Sequence, residues 1–249
     1  MASIALLLPV LATSAGPPPS TPPHAVPPVS HSPTVHGLER AHRRADGTVV
    51  VAGPLTGTGT VHAQHVLIRG LLSPGDSPGC LTFGGNVTFS PTATLLIEIG
   101  GTVPCTDYDQ VHVAGTLTLD GAALAVALID GFVPAWGDRF DVLDWGSLVG
   151  SFGTIDTSAA TLPVHLVWNT SQLYFTGELV VELQHFADGD LAPWNAPDGQ
   201  INAADVMIAM QLVAGIRVPG DLQYAHGDMN LDDTIDLADV LLIQQAVAP

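Results

Sequence analysis

Asp228, Asn230, Asp232, Thr234, Asp236 and Asp239 stand at positions 1, 3, 5, 7, 9 and 12 of one stretch, Asp-Met-Asn-Leu-Asp-Asp-Thr-Ile-Asp-Leu-Ala-Asp. That spacing matches the ligand order of a twelve-residue calcium loop. Calcium takes about six to eight hard oxygen ligands, and such a loop supplies them from these positions. Asp228, Asn230 and Asp232 are expected to give side-chain oxygens and Thr234 its backbone carbonyl. Asp236 is expected to act through water, and Asp239 to close the loop. Ile235, at position 8, is apolar as pairing with a second loop requires. A random acidic run would not keep this spacing and then turn into an apolar helix.

An imperfect copy precedes it. Asp198-Gly-Gln-Ile-Asn-Ala-Ala-Asp205 matches positions 5 to 12, with Gly199 at the position-6 turn, Gln200 at position 7, Ile201 at 8 and Asn202 at 9. Strict counting puts Trp194 at position 1, and an indole cannot ligate calcium. Asp190 can, if the loop carries four extra residues around Pro193-Trp194-Asn195, where Asn195 offers a replacement ligand. Two Ca2+ sites are therefore expected, the second loop the stronger. At position 6 of that loop Asp233 replaces the usual Gly, a place that needs positive φ; Asp tolerates it better than most residues.

Each loop runs into one apolar helix, Ala203 to Ala214 closed by Gly215, and Leu237 to Val247. No helix is expected before either loop, because Pro193, Pro197, Pro219 and Gly220 interrupt those approaches. Paired loop-helix units of this kind, with Asp at position 12, resemble the dockerin family. The resemblance covers residues 185–249. It implies calcium binding at the residues named above and docking to a cohesin-like or other extracellular protein partner. Positions 10 and 11, which in cellulosomal dockerins often carry hydroxyl residues for cohesin contact, are here Ala203-Ala204 and Leu237-Ala238, a departure from the cellulosomal pattern.

The elements ahead of this module have a different grammar. Val49 to Val51, Val61 to Ile68, Leu81 to Phe89, Leu95 to Ile99, Val111 to Leu119, Ala123 to Ile129, Phe140 to Leu143, His165 to Trp168, Leu173 to Phe175 and Leu179 to Leu183 are β-branched or apolar runs. Turn residues such as Gly84-Gly85-Asn86 and Asp120-Gly121 separate them. They predict strands, and nothing between them has helical periodicity. The expected fold is mainly β, a β-solenoid or β-sandwich-like domain over 46–184, with a small α-helical C-terminal module over 185–249. Leu72-Ser-Pro-Gly75-Asp-Ser-Pro-Gly79, Thr106 to Val113 and Asp130 to Phe140 resemble the passenger-type β-helix segments of autotransporter-like bacterial surface proteins. That resemblance speaks to fold and export rather than to chemistry.

The chain has no Lys, only six Arg, and a formal net charge of -18. This balance repels nucleic acid and anionic membrane and favours divalent cations. Ile4 to Ala12, followed by small residues, has the shape of a signal-peptide core over 1–15 and is too short to span a bilayer, so a secreted or cell-surface protein is expected. Residues 16–45, dense in Pro, Ser and His, predict an extended linker. Cys80 and Cys105, the only cysteines, predict a disulfide in an exported protein.

Enzyme chemistry is thinly supplied. No His-Glu-x-x-His and no phosphate-binding glycine loop is present. Asp141 and Asp144 lie near Trp136 and Trp145, which could form a sugar-stacking face, and this keeps a polysaccharide-binding or glycoside-hydrolysing protein as an alternative. A calcium-stabilised adhesin is the other. His65, His112, His165 and His226 are expected as isolated exposed or core-edge residues. The main expectation is a non-catalytic protein whose calcium-ordered module mediates docking or assembly.

Overall fold

The computed structural model describes residues 30–31, 35–38 and 41–247; the expected signal peptide and the linker up to residue 29 lie outside them. The described chain is mainly β with three α-helices. In order come β1 (Ser30–His31), β2 (Val35–His36), β3 (His42–Arg43), β4 (Val49–Val51), β5 (Leu55–Gly57), β6 (Gly59–His62), β7 (His65–Ile68), β8 (Leu71–Pro74) and β9 (Cys80–Phe83). They are followed by β10 (Asn86–Phe89), β11 (Thr94–Ile99), β12 (Gln110–Asp120), β13 (Ala123–Leu128), β14 (Arg139–Asp141), β15 (Leu143–Ser151), β16 (Thr154–Ala159), β17 (Leu166–Asn169) and β18 (Glu178–Leu183). The helices α1 (Ala203–Val213), α2 (Asp221–Gly227) and α3 (Leu237–Ala246) complete the chain.

Parallel pairing dominates from β4 to β16. The ladders run β4 beside β7 beside β10 beside β12 beside β15, and β5 beside β8 beside β11 beside β13 beside β16. A third ladder pairs β6 with β9 and β9 with the first half of β12. The sheet thus curls around an apolar interior. Register stacks like on like: Val51, Ile68, Phe89 and Leu119 form one column, and Leu55, Leu72, Leu95 and Leu124 another. All eight are buried, and each large apolar side chain taken out of water is worth about 1.5–3 kcal/mol. Alternate residues along each strand face outward, so β11 reads half-buried and buried by turns.

Several sequence expectations need correction. The runs Val61 to Ile68 and Leu81 to Phe89 are each two strands, broken at Ala63-Gln64 and at Gly84-Gly85. Each break falls at a short polar or glycine step, His62-Ala63-Gln64-His65 and Gly84-Gly85-Asn86, where the backbone turns a corner between two ladders. The two corners stack: a Cβ on Gly85 would lie 2.2 Å from the Ala63 carbonyl oxygen, so only glycine allows the approach. Leu173 to Phe175 is not a strand but falls largely in a single 3-10 turn, Ser171–Tyr174, with Phe175 exposed. β5, β8, β16 and most of β15 went unpredicted because they are short or built from Gly, Ser and Thr.

The expected linker over 16–45 is also corrected within its described part. β1, β2 and β3 pair antiparallel with β6, β5 and β4 respectively, covering the first edge of all three ladders. At the other end β14, β18 and β17 form a small antiparallel sheet. Its Phe140, Leu166, Leu179 and Val181 join the same apolar core.

Cys80 and Cys105 are bonded, closing a loop with a sequence separation of 25 between β9 and the excursion before β12. Replacing both by Ala is expected to cost about 3 kcal/mol, the chain-entropy value for a loop of this length. Denaturant titration of the double variant against the parent, read by tryptophan fluorescence, measures it.

The α-helical module rests on the β region through α2. Tyr224 packs against Trp136 at a ring separation of 5.8 Å, and Ala225 and Phe186 belong to the β core. A separate small core, Leu191, Ala209, Leu212, Val240 and Ile243, joins α1 to α3.

Candidate metal centre

The two acidic loops fold into the same hydrogen-bonded frame. In the second, Asp228 is fully buried and accepts from the backbone N–H groups of Asp232 (3.1 Å) and Asp233 (2.9 Å). Asp239, also fully buried, accepts on one oxygen from Met229 (2.8 Å) and Asn230 (3.2 Å) and on the other from Asp236 (2.9 Å). In the first loop Asp190 accepts from the N–H groups of Asp198 and Gly199. Asp205 accepts from Leu191 (2.8 Å) and Ala192 (2.7 Å) on one oxygen and Asn202 (2.7 Å) on the other.

Position by position, Asp190 does what Asp228 does, and Asp205 what Asp239 does. Asp190 reaches residues eight and nine further on, Asp228 residues four and five further on, a difference of four residues. The extra residues lie where the sequence placed them, and Asn195 among them is exposed. Position 3 of the first loop is Ala192, which brings only its backbone. Position 6 has the left-handed backbone in both loops, φ +78 at Gly199 and +64 at Asp233.

The remaining donors are arranged around this frame. Asn230 Oδ1 accepts from the Asp232 N–H, and Asn230 Nδ2 donates to Asp232 Oδ2. Thr234 donates its hydroxyl and N–H to Asp232 Oδ1, and these bonds, with that from Asn230, hold the Asp232 carboxyl below the usual carboxylate range. Asp198 Oδ1 accepts from the Gln200 N–H, and the Gln200 carbonyl accepts from Asn202 Nδ2. Asn202 and Asp236 cap α1 and α3, accepting from the N–H groups of Ala204 and Ala238, while Asp205 and Asp239 complete capping boxes. Part of the ligand spacing therefore also starts a helix, which needs acceptors at the same places.

One expectation about these elements is overturned. A helix does precede the second loop: α2 ends at Gly227, directly before Asp228. Gly220 begins it rather than preventing it, with its N–H donating to Gln223 Oε1. The chain leading into the first loop runs beside this helix end, where Phe186 and Ala187 donate to the Ala225 carbonyl and Gly189 to that of His226. Asp188 and His226 meet at 2.7 Å across the same seam.

Do these residues fit a cation? Asp228 and Asp239 are carboxylates removed from solvent, and among the described residues no Arg pairs with any loop acid. His185, 4.0 Å from both Asp228 and Asp233, is the nearest basic group. Each carboxylate has about four lone-pair sites, of which Asp228 uses two and Asp239 three for N–H groups, so acceptor capacity remains on both. Buried carboxylates are paired or coordinate metal, and hard oxygens of this kind suit calcium. Among the described residues no three His, Cys, Asp or Glu side chains group as a metal site. The donor set read from the sequence also draws on Asn230 and two backbone carbonyls.

The residues of the alternative aromatic site have other partners. Trp136 packs on Tyr224, and Trp145 packs against the core. Asp144 is taken up by His112 Nδ1 at 2.7 Å, and Asp141 accepts from Gln110 Nε2. His112, His226 and His65, which bonds Thr88, thus have polar partners that the sequence did not disclose, because those partners lie 23 to 38 residues away.

No family model matches the chain, and no curated protein matches it. Among the described residues no helix is long and apolar enough to cross a membrane.

Proposed function

We propose that residues 185–249 form a dockerin-like, calcium-ordered module that docks this secreted or surface protein to an extracellular protein partner, and that the β region is a non-catalytic solenoid that carries it. The observation that carries the reading is the repeated frame. Asp190 with Asp205 and Asp228 with Asp239 make the same bonds to equivalent backbone positions despite a four-residue difference in loop length. Chance acidic runs do not converge on one geometry twice. The parallel, in-register ladders support a solenoid over a sandwich, whose sheets are antiparallel.

Calcium would supply the positive charge that lets the loop acids sit together. This chain's own residues do the rest: Asp228 and Asp239 hold the backbone of the second loop closed, and Asp236 and Asn202 begin the helices. The docking face would be the apolar side that α1 and α3 leave exposed, with Met207, Met210, Leu237 and Leu241. An apolar face with an acidic surround fits a partner surface that is apolar at its centre and basic at its rim.

Calorimetric titration of the chelator-stripped full chain should give two calcium ions bound. Chelation should remove the far-ultraviolet helical signal of α1 and α3 while the β signal persists. An unchanged helical spectrum with no heat of calcium binding defeats the proposal.

A further inference from the structure

No slack chain separates the β region from the two acidic loops. β18 ends at Leu183, yet the Gln184 N–H still donates to the His165 carbonyl (2.8 Å), one step beyond the strand. The chain then lies along the end of α2. Phe186 and Ala187 donate to the Ala225 carbonyl (2.7 and 3.1 Å), and Gly189 to that of His226 (2.8 Å). Asp190, the first acid of the first loop, comes next. Across the same seam α2 ends at Gly227, and Asp228, the first acid of the second loop, follows with its N–H on the Tyr224 carbonyl (3.3 Å). Both loops start from one hydrogen-bonded seam.

By its packing this seam belongs to the β region. Ala225 is fully buried in the β core, and Tyr224 and Phe186 pack against that core. The Trp136 ring lies 5.8 Å from that of Tyr224, and the Phe186 ring stacks on His226 at 4.6 Å. α2 also reaches the first loop, where buried Gln223 donates through Nε2 to the Trp194 carbonyl (2.7 Å). A site whose ligands are already placed binds its ion more tightly than one the ion must order, because less conformational freedom is lost on binding. Asp190 and Asp228 are placed by the seam, whereas Asp205 and Asp239 sit in the first turns of α1 and α3, which share the separate core.

We propose that Trp136, Tyr224 and Phe186 are positioning residues for the candidate metal centre: through α2 and the segment 184–189, the β region holds Asp190 and Asp228 in place ahead of the ion. The proposal rests on the calcium reading above. It makes the calcium affinity of the module depend on rings outside either loop, and by linkage it makes calcium tighten the seam in return.

Calcium titration calorimetry on the full chain tests it, with hydrogen exchange of the wild type beside it. Wild type should bind two ions. Trp136→Ala and Tyr224→Ala should bind them about tenfold more weakly, within the usual range of coupling between linked sites. Trp136→Phe and Tyr224→Phe should stay close to wild type. Trp136 is 40% exposed and outside the β core, so its truncation leaves the fold intact. Amides 221–227 should stay protected in chelator while those of α1 and α3 exchange, and calcium should further slow the Phe186, Ala187 and Gly189 amides. Unchanged affinity in both Ala variants, with two ions still bound, overturns the coupling and leaves the calcium reading standing. So does exchange of α2 in step with α1 and α3 in chelator, a result that needs no variant to fold. A wild type that takes up no calcium defeats both.

Discussion

Asp239→Ala is expected to unfold the second loop and α3 even before metal is considered. Three backbone N–H groups, those of Met229, Asn230 and Asp236, donate to this one buried carboxylate. Each donor left unsatisfied in the interior costs about 1–3 kcal/mol, so the variant should lose about 3–5 kcal/mol from the module. The capping box of α3 goes with it. Calcium stoichiometry should fall from two ions to one, and helical ellipticity should drop with calcium present. Asp239→Asn separates the two roles. It keeps one oxygen to accept from Met229 and Asn230 but removes the charge, so it should retain more helix than the Ala variant while still losing the ion. Asp205→Ala should repeat the result in the first loop, where Leu191, Ala192 and Asn202 are the orphaned donors. If Asp239→Ala keeps both its helices and two bound ions, the frame is not what orders the module.

The second large effect belongs to the β region and has the opposite pH sign. Asp109 is fully buried, and burial pushes its carboxyl up to about 7, against the N–H bonds from Glu98 and Gly79 and with help from the Glu98 charge. In the unfolded chain the same group titrates near 3.8. Between these values the folded protein holds a proton that the unfolded chain has lost, so folding is favoured at the acid end and stability falls as pH rises through the window. A displacement of about three units corresponds to about 4 kcal/mol between pH 4 and pH 7. Asp141, raised by burial and then by the charges of Asp144 and Glu178, adds in the same direction.

Denaturation of the β region, followed by tryptophan fluorescence at pH 5 and pH 8, should show the greater stability at pH 5. Asp109→Asn, which cannot ionise, should flatten that difference. A wild-type profile that rises or stays level from pH 5 to pH 8 contradicts the assignment. Under the proposed calcium binding the acidic loops should move the other way, since metal ligands must be deprotonated and calcium is released as pH falls. Acid should therefore weaken the helices while strengthening the strands.

The acidic loops were legible because a buried carboxylate frame and helix capping both fix residue type at fixed spacing. Asp228 to Asp239, Asp198 to Asp205 and the reach back to Asp190 could all be counted off the sequence, as could Cys80 and Cys105. The apolar runs announced most of the longer strands; among the described residues before 185 the one helical turn inside such a run is the 3-10 turn at Ser171–Tyr174. The corners were only half announced: Gly84-Gly85-Asn86 reads as a turn, but His62-Ala63-Gln64-His65 carries no Gly or Pro, and what bends it is the corner stacked on Gly85. The helix α2 was missed because Pro219-Gly220 reads as a break, although the same pair can end one segment and begin the next.

What the sequence determined by itself was local: ligand spacing, capping, pattern of burial and overall charge. Which strands pair in parallel, that β1, β2 and β3 cover one end of the sheet, that Trp136 lies on Tyr224 and that His112 meets Asp144 were decided only in three dimensions. Each of these joins residues far apart along the chain. A parallel ladder takes its register from the whole stacked core, whereas the acidic loop Asp228 to Asp239 takes its geometry from bonds among a dozen consecutive residues.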